Sequence, residues 1–553
     1  MNPANHTALL SEQKQSHWIP AYAGMTMLLT ALMLSTDAHA ADVPASGVVA
    51  ASPVVEEAPE IIRFAINAFI VDDAQLLTQA DFDAVVAPFV GKEKDFSDVQ
   101  RALEAVEELY ASHGYSAVHV LLPEQELEAG TVHFQVIEGH YGKIIVKDNR
   151  FVSEQNALDA IPSVRSGGVP RAKQVGRELR LANENPARQL NVVLKAGEKD
   201  DEVDASVLVT DSKPEQWTMT FDNSGSPETG RSRLGLVYRH ANLFDSDHVA
   251  QVNVQVSPSY MDRVKVLGGS YKIPLYEQGH SVEFFGGYSN VNSLVGETNF
   301  QGGGLIFSSR YNIPLDRWST FDPRVSFGLD WRKFDKIKMT GVAQPLYNDI
   351  VVTPLSVGYS AQGKVGKGDV NFNTSFAMNV PLMSKGKSAD FDNYDFVNFS
   401  KPTATYKAIR YGAGYFTVFG GDWQFRTAMS GQWSGDTLIQ AEQMRLGGAD
   451  GVRGFSEGSE TGEVGVRYNI ETYSPAYETS GAKVRGLVFV DGGTVKAKAV
   501  GSTNISSAGF GLRAAITDTS SLRLDAGRII KAGNDPQQLK GDWRIHAALS
   551  ASF

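Results

Sequence analysis

Arginine and carboxylate are the residues whose types and spacing most clearly suggest chemistry in this chain, and that chemistry is ionic rather than catalytic. Arg453 stands in Gly447-Gly448-Ala449-Asp450-Gly451-Val452-Arg453-Gly454-Phe455, where the glycines give the backbone tight, left-handed freedom. Further on, Phe489-Val490-Asp491-Gly492-Gly493 sets a carboxylate at the end of an apolar strand. A guanidinium stays charged and grips a carboxylate through two parallel bonds. Arg453 is therefore expected to reach into a barrel interior and pair with Asp491. In a wet lumen such a pair is worth only ~1 kcal/mol, more where water is excluded, so it positions a loop rather than stabilising a fold. From the residues alone, a solvated loop arginine is the competing reading.

Other chemistries find no support. The 11 histidines include no His-Glu-x-x-His, and neither Gly167-Gly168 nor Gly268-Gly269 is followed by the Lys-Ser/Thr of a phosphate loop. No Gly-x-Ser-x-Gly falls in a strand–turn–helix context. Cysteine is absent, so there is no disulfide framework, thiolate metal site or thiol nucleophile. The sequence reads as a non-enzyme, with no catalytic residue, metal or cofactor. A net charge of −12, from 51 basic and 63 acidic residues, argues against a nucleic-acid partner.

The elements that must position Arg453 and Asp491 follow from patterning. A mean hydropathy of −0.20 excludes a polytopic helical membrane protein but not a β-barrel, whose strands alternate apolar and polar residues. Met25–Leu34 is an apolar run leading to Ala38-His39-Ala40, the pattern of a signal peptide over 1–40, with Met25 or Met27 as alternative starts. The run is too short for a retained membrane anchor. Residues 41–60 read as a flexible lead-in. Pro44, Pro53 and Pro59 argue there against a helix that could plug a barrel.

Residues 61–139 read as strand, helix, helix, strand, strand. The longer helix, Phe96 to Ser112, carries Val99, Leu103, Val106 and Tyr110 on one face and is stopped by Gly114. Residues 140–213 repeat the order of elements, with a strand at Lys143–Lys147, a helix at Arg171–Asn183 and strands at Gln189–Ala196 and Val203–Thr210. The fold class expected is thus two α+β modules before an antiparallel barrel. From Glu215 period-two alternation takes over: Trp217, Met219 and Phe221 against Thr218, Thr220 and Asp222. The polar set is rich in Gln, Asn, Arg and Ser, which suits a wet lumen better than a sandwich core. At roughly 20 residues per strand and connection, 214–553 holds about 16 strands. Ile273-Pro274-Leu275-Tyr276 and Ile313-Pro314-Leu315-Asp316 are expected as short periplasmic turns and Met383–Asn398 as an outer loop. The stretch at about 444–463 is expected to fold inward. The chain stops on Phe553, an outward aromatic, as a strand read by barrel-assembly machinery would.

Several motifs then resemble the outer-membrane transporters of two-partner secretion, the haemolysin secretion/activation group of the outer-membrane assembly-factor superfamily. Tyr110-x3-Gly114-Tyr115, Leu122-Pro123-Glu124-Gln125, Gly130 and Val136-Ile137-Glu138-Gly139 look like that family's polypeptide-transport-associated (POTRA) domain. Asp222-Asn223-Ser224-Gly225, Thr229-Gly230 and Asn242-x4-Asp247 resemble its first barrel hairpin. Val452-Arg453-Gly454-Phe455 matches the superfamily's inward loop tip, and Phe489, Asp491 and Gly493 match its partner strand. The resemblance implies two POTRA domains in the periplasm and a barrel in the outer membrane. It also implies an unfolded, haemolysin- or adhesin-like exoprotein as cargo and a monomer in outer-membrane lipid. A barrel-assembly factor of the same superfamily and a diffusion porin are the alternative functions.

Overall fold

The computed structural model describes residues 62–553, apart from 127–129, 227–228, 262–263, 291–292, 296–297, 301–302, 338–346, 395–400, 480 and 499. The expected signal peptide and lead-in lie outside the described residues.

The first module packs helices Gln79–Val86 and Phe96–Ser112 on a three-stranded sheet. Asp95 begins the longer helix by accepting the backbone N–H groups of Ser97 and Asp98. Thr131–Glu138 is the central strand, parallel to Ala68–Asp72 and antiparallel to Val118–Leu121. The apolar helix face meets Phe69, Val132 and Phe134 in a closed core. A separate ribbon pairs Phe64–Ile66 with Gly91–Lys94, a strand the sequence patterning passed over because its residues are Gly-Lys-Glu-Lys. The resembling motifs brace this module. Tyr110 donates to Glu138 at 2.8 Å, and Glu138 also accepts from the backbones of Gln75 and Leu76. Gln125 bridges both backbone groups of His133 at 2.7 Å.

The second module has the same topology, with Glu202–Asp211 central, His140–Lys147 parallel and Arg188–Ala196 antiparallel. Besides helix Ala172–Ala182 it holds a short helix, Glu154–Asp159. No linker separates the modules. Ala172 N–H donates to Gly114 O at 3.0 Å, Ser116 N–H to Pro170 O at 3.2 Å, and Arg171 lies 5.0 Å over the Tyr115 ring.

The barrel is closed, antiparallel and sixteen-stranded, from Glu215–Asp222 to Trp543–Ser552. Closure runs from Ala548↔Asp222 to Ser552↔Thr218, extended by reciprocal backbone bonds of Trp217 and Phe553 at 3.0 and 2.9 Å. Asn223 of the Asp-Asn-Ser-Gly motif adds a stitch, exchanging bonds with Ala547 and Ile545. Along the strands, alternate residues such as Phe307, Val488, Phe510 and Ile545 stand exposed on the outside, forming the apolar belt that lipid covers. Phe553 is exposed on that face too. The opposite set faces the lumen. In Pro354–Val365 and Gly368–Asn379, where Leu355, Val357 and Phe376 point outward, the lumen is lined by Ser356, Gly358, Ser360, Asn371, Asn373 and Ser375.

Two expected turns sit differently. Ile273 to Leu275 belong to the strand Lys265–Leu275, with Ile273 opposite Val282, and the turn is 276–279. Likewise Pro314 ends the strand Gly304–Pro314. A proline is tolerated at a strand end, where its missing N–H removes no ladder bond, so it marks the last pair rather than the turn. Met383–Asn398 falls in the long connection after Gly368–Asn379, where Ser388–Asp392 is a short helix and 395–398 lie outside the described residues.

A buried polar knot joins the second module to the barrel. Arg188 meets Asp247 at 2.6 Å, and their side chains are 2% and 1% exposed. Asp247 also accepts from Tyr276 at 2.6 Å and Asn185 at 3.0 Å. Asn242 orients the turn by accepting from Asp247 N–H at 2.9 Å. Burial pushes the Asp247 carboxyl up, and the Arg188 guanidinium offsets part of that push. Glu184 reaches Lys272 at 2.5 Å and pairs with Arg324, both on barrel strands. The second module is thereby fixed under the pore.

Candidate functional site

The connection between strands Trp423–Trp433 and Val464–Tyr473 does not stay outside. It descends into the lumen as a short ribbon, Met444–Leu446 against Glu460–Gly462, whose tip carries Val452 to Phe455. Gly447, Gly448 and Gly454 have φ of 92°, 99° and 93°, the left-handed backbone that lets the tip fold back on itself. A Cβ on Gly454 would lie 3.2 Å from the backbone of Gly527 on the wall, so the tip is pressed against the barrel there.

Arg453 is the centre of this contact. Its Nε and Nη2 donate to the two oxygens of Asp491 at 2.7 and 2.8 Å, and its own backbone N–H adds a third bond at 3.1 Å. Nη1 lies 2.7 Å from Glu471 and 3.5 Å from Asp525. The guanidinium stacks 3.5 Å from the centroid of the Phe489 ring. The side chains of Arg453, Asp491 and Asp525 are at most 1% exposed, so water is excluded and the pair is far from the solvated limit. Strand register explains the convergence. Glu471, Asp491 and Asp525 all belong to lumen-facing sets, and Asn469↔Asp491↔Ser507 places adjacent strands side by side.

The rest of the tip is held by donors and apolar contacts. Gly454 N–H donates to Nε2 of His546 at 3.0 Å, and Ser456 N–H to Gln538 at 2.7 Å. Asn469 donates to Gly451 O at 2.7 Å, and Arg523 reaches Asp450 at 2.6 Å. Arg513 and Arg523 balance Asp525 at 2.9 and 2.8 Å. Beneath them Leu446, Val452 and Phe455 pack on Val495, Ile505 and Ile529. Gly493 lies under Leu446, where a Cβ would come within 2.9 Å.

Val452, Arg453, Gly454, Phe455, Phe489, Asp491 and Gly493 are thus brought into one contact, while Phe553 lies apart on the outer face. Sequence reasoning missed Glu471, Asp525 and His546. Their signal was weak but present: each sits in phase with the polar set of its strand, and Arg523-Leu524-Asp525 places opposite charges on one face.

A closed apolar-belted barrel, an inward loop bolted to its wall and α/β modules at one mouth define an outer-membrane barrel protein with periplasmic modules. Residues 202–514 match the family described as haemolysin secretion/activation protein ShlB/FhaC/HecB, and residues 64–139 match the ShlB-type POTRA domain. The chain belongs to the ShlB/FhaC/HecB family, the outer-membrane transporters of two-partner secretion, which export an exoprotein partner across the outer membrane. Among curated relatives, the heme/hemopexin transporter protein HuxB of Haemophilus influenzae is 22% identical over 431 residues, covering 72% of this chain and 70% of its own. The outer membrane transporter CdiB of Escherichia coli O6:K15:H31 is 24% identical, covering 80% and 74%. Among solved structures, CdiB from Escherichia coli superposes with a TM-score of 0.72 at 19% identity, over 91% of this chain and 93% of that one. CdiB from Acinetobacter baumannii gives 0.64 at 16%, over 90% and 91%. The barrel lies in the outer membrane with the POTRA region in the periplasm.

Proposed function

We propose that this chain captures its exoprotein unfolded in the periplasm and threads it through the barrel, with the Arg453 loop as the movable element of the pore. The observation that carries this reading is the loop itself. A segment joined to the wall strands at its two ends occupies the lumen, and its tip is seated there by non-covalent contacts centred on the buried Arg453 guanidinium. The division proposed is a POTRA domain over 61–139, a second over 140–213 and the barrel over 214–553. Capture uses strand addition. In the first module Ala68–Asp72 and Val118–Leu121 are the edges of the three-stranded sheet, and an extended cargo segment gains main-chain bonds there without needing one sequence. No nucleotide motif is present in the sequence, so folding of the cargo outside supplies the drive. The cargo is a haemolysin- or adhesin-like protein, the transporter a monomer in outer-membrane lipid, and the last strand with Phe553 the segment read by barrel-assembly machinery.

The test is export of the cognate cargo after deletion of Gly447–Phe455 or Arg453→Ala, with heat-modifiability reporting an intact barrel. Export should fall in both while the barrel remains folded. Normal export without the loop tip would sink the proposal.

A further inference from the structure

Away from Asp491, the descending limb of the same loop carries a second buried ionic contact. A turn at Gln440–Glu442 presents Glu442, whose side chain is 1% exposed, to the opposite part of the wall. Its Oε1 accepts from Nη1 of Arg332 at 2.8 Å, on strand Asp322–Phe334. Its Oε2 accepts from Nη2 of Arg410 at 2.8 Å, on strand Lys407–Phe419. Gln432 links the same group twice, accepting from Arg410 Nε at 2.9 Å and donating to the backbone oxygen of Glu442 at 2.9 Å. Arg332 and Arg310 share Asp330 behind it, and Gln432 holds Arg410, so each cation that meets Glu442 has a second partner on the wall.

Apolar packing reinforces the contact. Leu438 and Ile439, just above Glu442, are 2% and 0% exposed and sit among Ile350, Phe391 and Tyr406 from neighbouring outer connections. The two ionic contacts fall on different sectors: Arg332 and Arg410 on one side, Asp491, Glu471 and Asp525 on the other. A loop hung only from its two flanking strands would need neither a buried carboxylate nor oriented arginines on the next strand, Lys407–Phe419, and on Asp322–Phe334 further round the wall.

We propose that Glu442, with Arg332 and Arg410, is a second anchor of the inward loop, which makes the loop a strap across the lumen rather than a finger fixed at its tip. Arg332 and Arg410 are positioning residues, and the strap's upper end also holds the outer connections closed over the pore. The proposal rests on reading the barrel as an export pore, but its readouts do not need cargo, so failure of export and failure of the strap are distinguishable.

The test uses the full chain in lipid. Glu442→Ala and, separately, Arg410→Ala are combined with Leu438→Cys in the naturally cysteine-free chain. Maleimide labelling from outside and resting conductance in planar bilayers are then measured, with heat-modifiability as the fold control. With the anchor broken, labelling should rise by about tenfold or more, the scale of one lost charge-assisted bond, and conductance should rise with it. Glu442→Gln, which keeps shape without charge, should fall between parent and Glu442→Ala. Parent-level labelling or conductance in both alanine variants would overturn the proposal. So would an increase that only accompanies loss of heat-modifiability, or a Gln variant indistinguishable from the parent.

Discussion

Removing Arg453 should release the loop tip to a degree that the buried charges set. In Arg453→Ala, Asp491 keeps a side chain that is 0% exposed and loses both guanidinium bonds. Glu471 is cushioned by Tyr473 at 2.5 Å and Arg426 at 3.7 Å, and Asp525 by Arg513 and Arg523. Asp491 is therefore the carboxylate that suffers. Breaking a buried pair from one side costs about 3–5 kcal/mol, which shifts the docking equilibrium by about a hundredfold to several thousandfold. Asp491→Asn should cost less, about 1.5–3 kcal/mol, because Arg453 keeps Glu471 at 2.7 Å. The double variant Arg453→Ala/Asp491→Ala should be milder than Arg453→Ala alone, since no charge is then stranded. Val452→Cys gives the assay. Val452 is 0% exposed in the docked tip, and the chain has no other cysteine, so the maleimide rate follows the undocked fraction. Heat-modifiability again certifies the barrel. The reasoning is refuted if Arg453→Ala leaves the labelling rate at the parent level, or if the double variant labels faster than Arg453→Ala.

Three further outcomes are expected. Gly454→Ala forces an L-residue to φ 93° with its Cβ 3.2 Å from Gly527, so the Val452→Cys label should rise by about tenfold, for roughly 1–2 kcal/mol of strain. Arg188→Ala strands the buried Asp247 and should cost about 3–5 kcal/mol at the joint, read as faster protease cleavage near Ser212–Pro214; Asp247→Asn should be milder. Deleting Phe553 removes the backbone pair with Trp217 at the closing seam and should lower the heat-modifiable fraction made in cells; an unchanged fraction would remove it as an assembly signal.

What the sequence discloses and what it hides divide along physical lines. Alternation such as Trp217-Thr218-Met219-Thr220 is local and strong, because lipid and water impose opposite demands on adjacent residues. The residues alone left Arg453 open to a solvated reading, and its pairing with Asp491 was legible because both stand in motifs that resemble the family's loop tip and partner strand. Glu471, Asp525 and Glu442 were not legible. Glu471 and Asp525 acquire their roles from strand register and Glu442 from the path of the inward loop, and both come from contacts between segments distant in the chain. Arg188 and Asp247 are hidden for the same reason, being 59 residues apart by number (247 minus 188) and joined only by the fold. The Ile-Pro-Leu segments misplaced two turns because a proline can end a ladder without breaking it, as Pro274 opposite Ser281 does.

The wall formed by Pro354–Val365 and Gly368–Asn379 has a consequence for what can slide past it. Ser356, Ser360, Asn371, Asn373 and Ser375 offer donors and acceptors around Gly358, and the fixed charges on the same face of these strands, Lys364 opposite Asp369, stand at the turn end. A stretched polypeptide moving along this face exchanges one weak bond for an equivalent one a few ångströms on. The nearest cations on the flanking strands, Arg324 opposite Ser360 and Arg410 opposite Ser375, are already paired with Glu184 and Glu442. This polar face lies between the strands that carry Arg332 and Arg410, so the track and the strap's proposed second anchor share one sector of the wall.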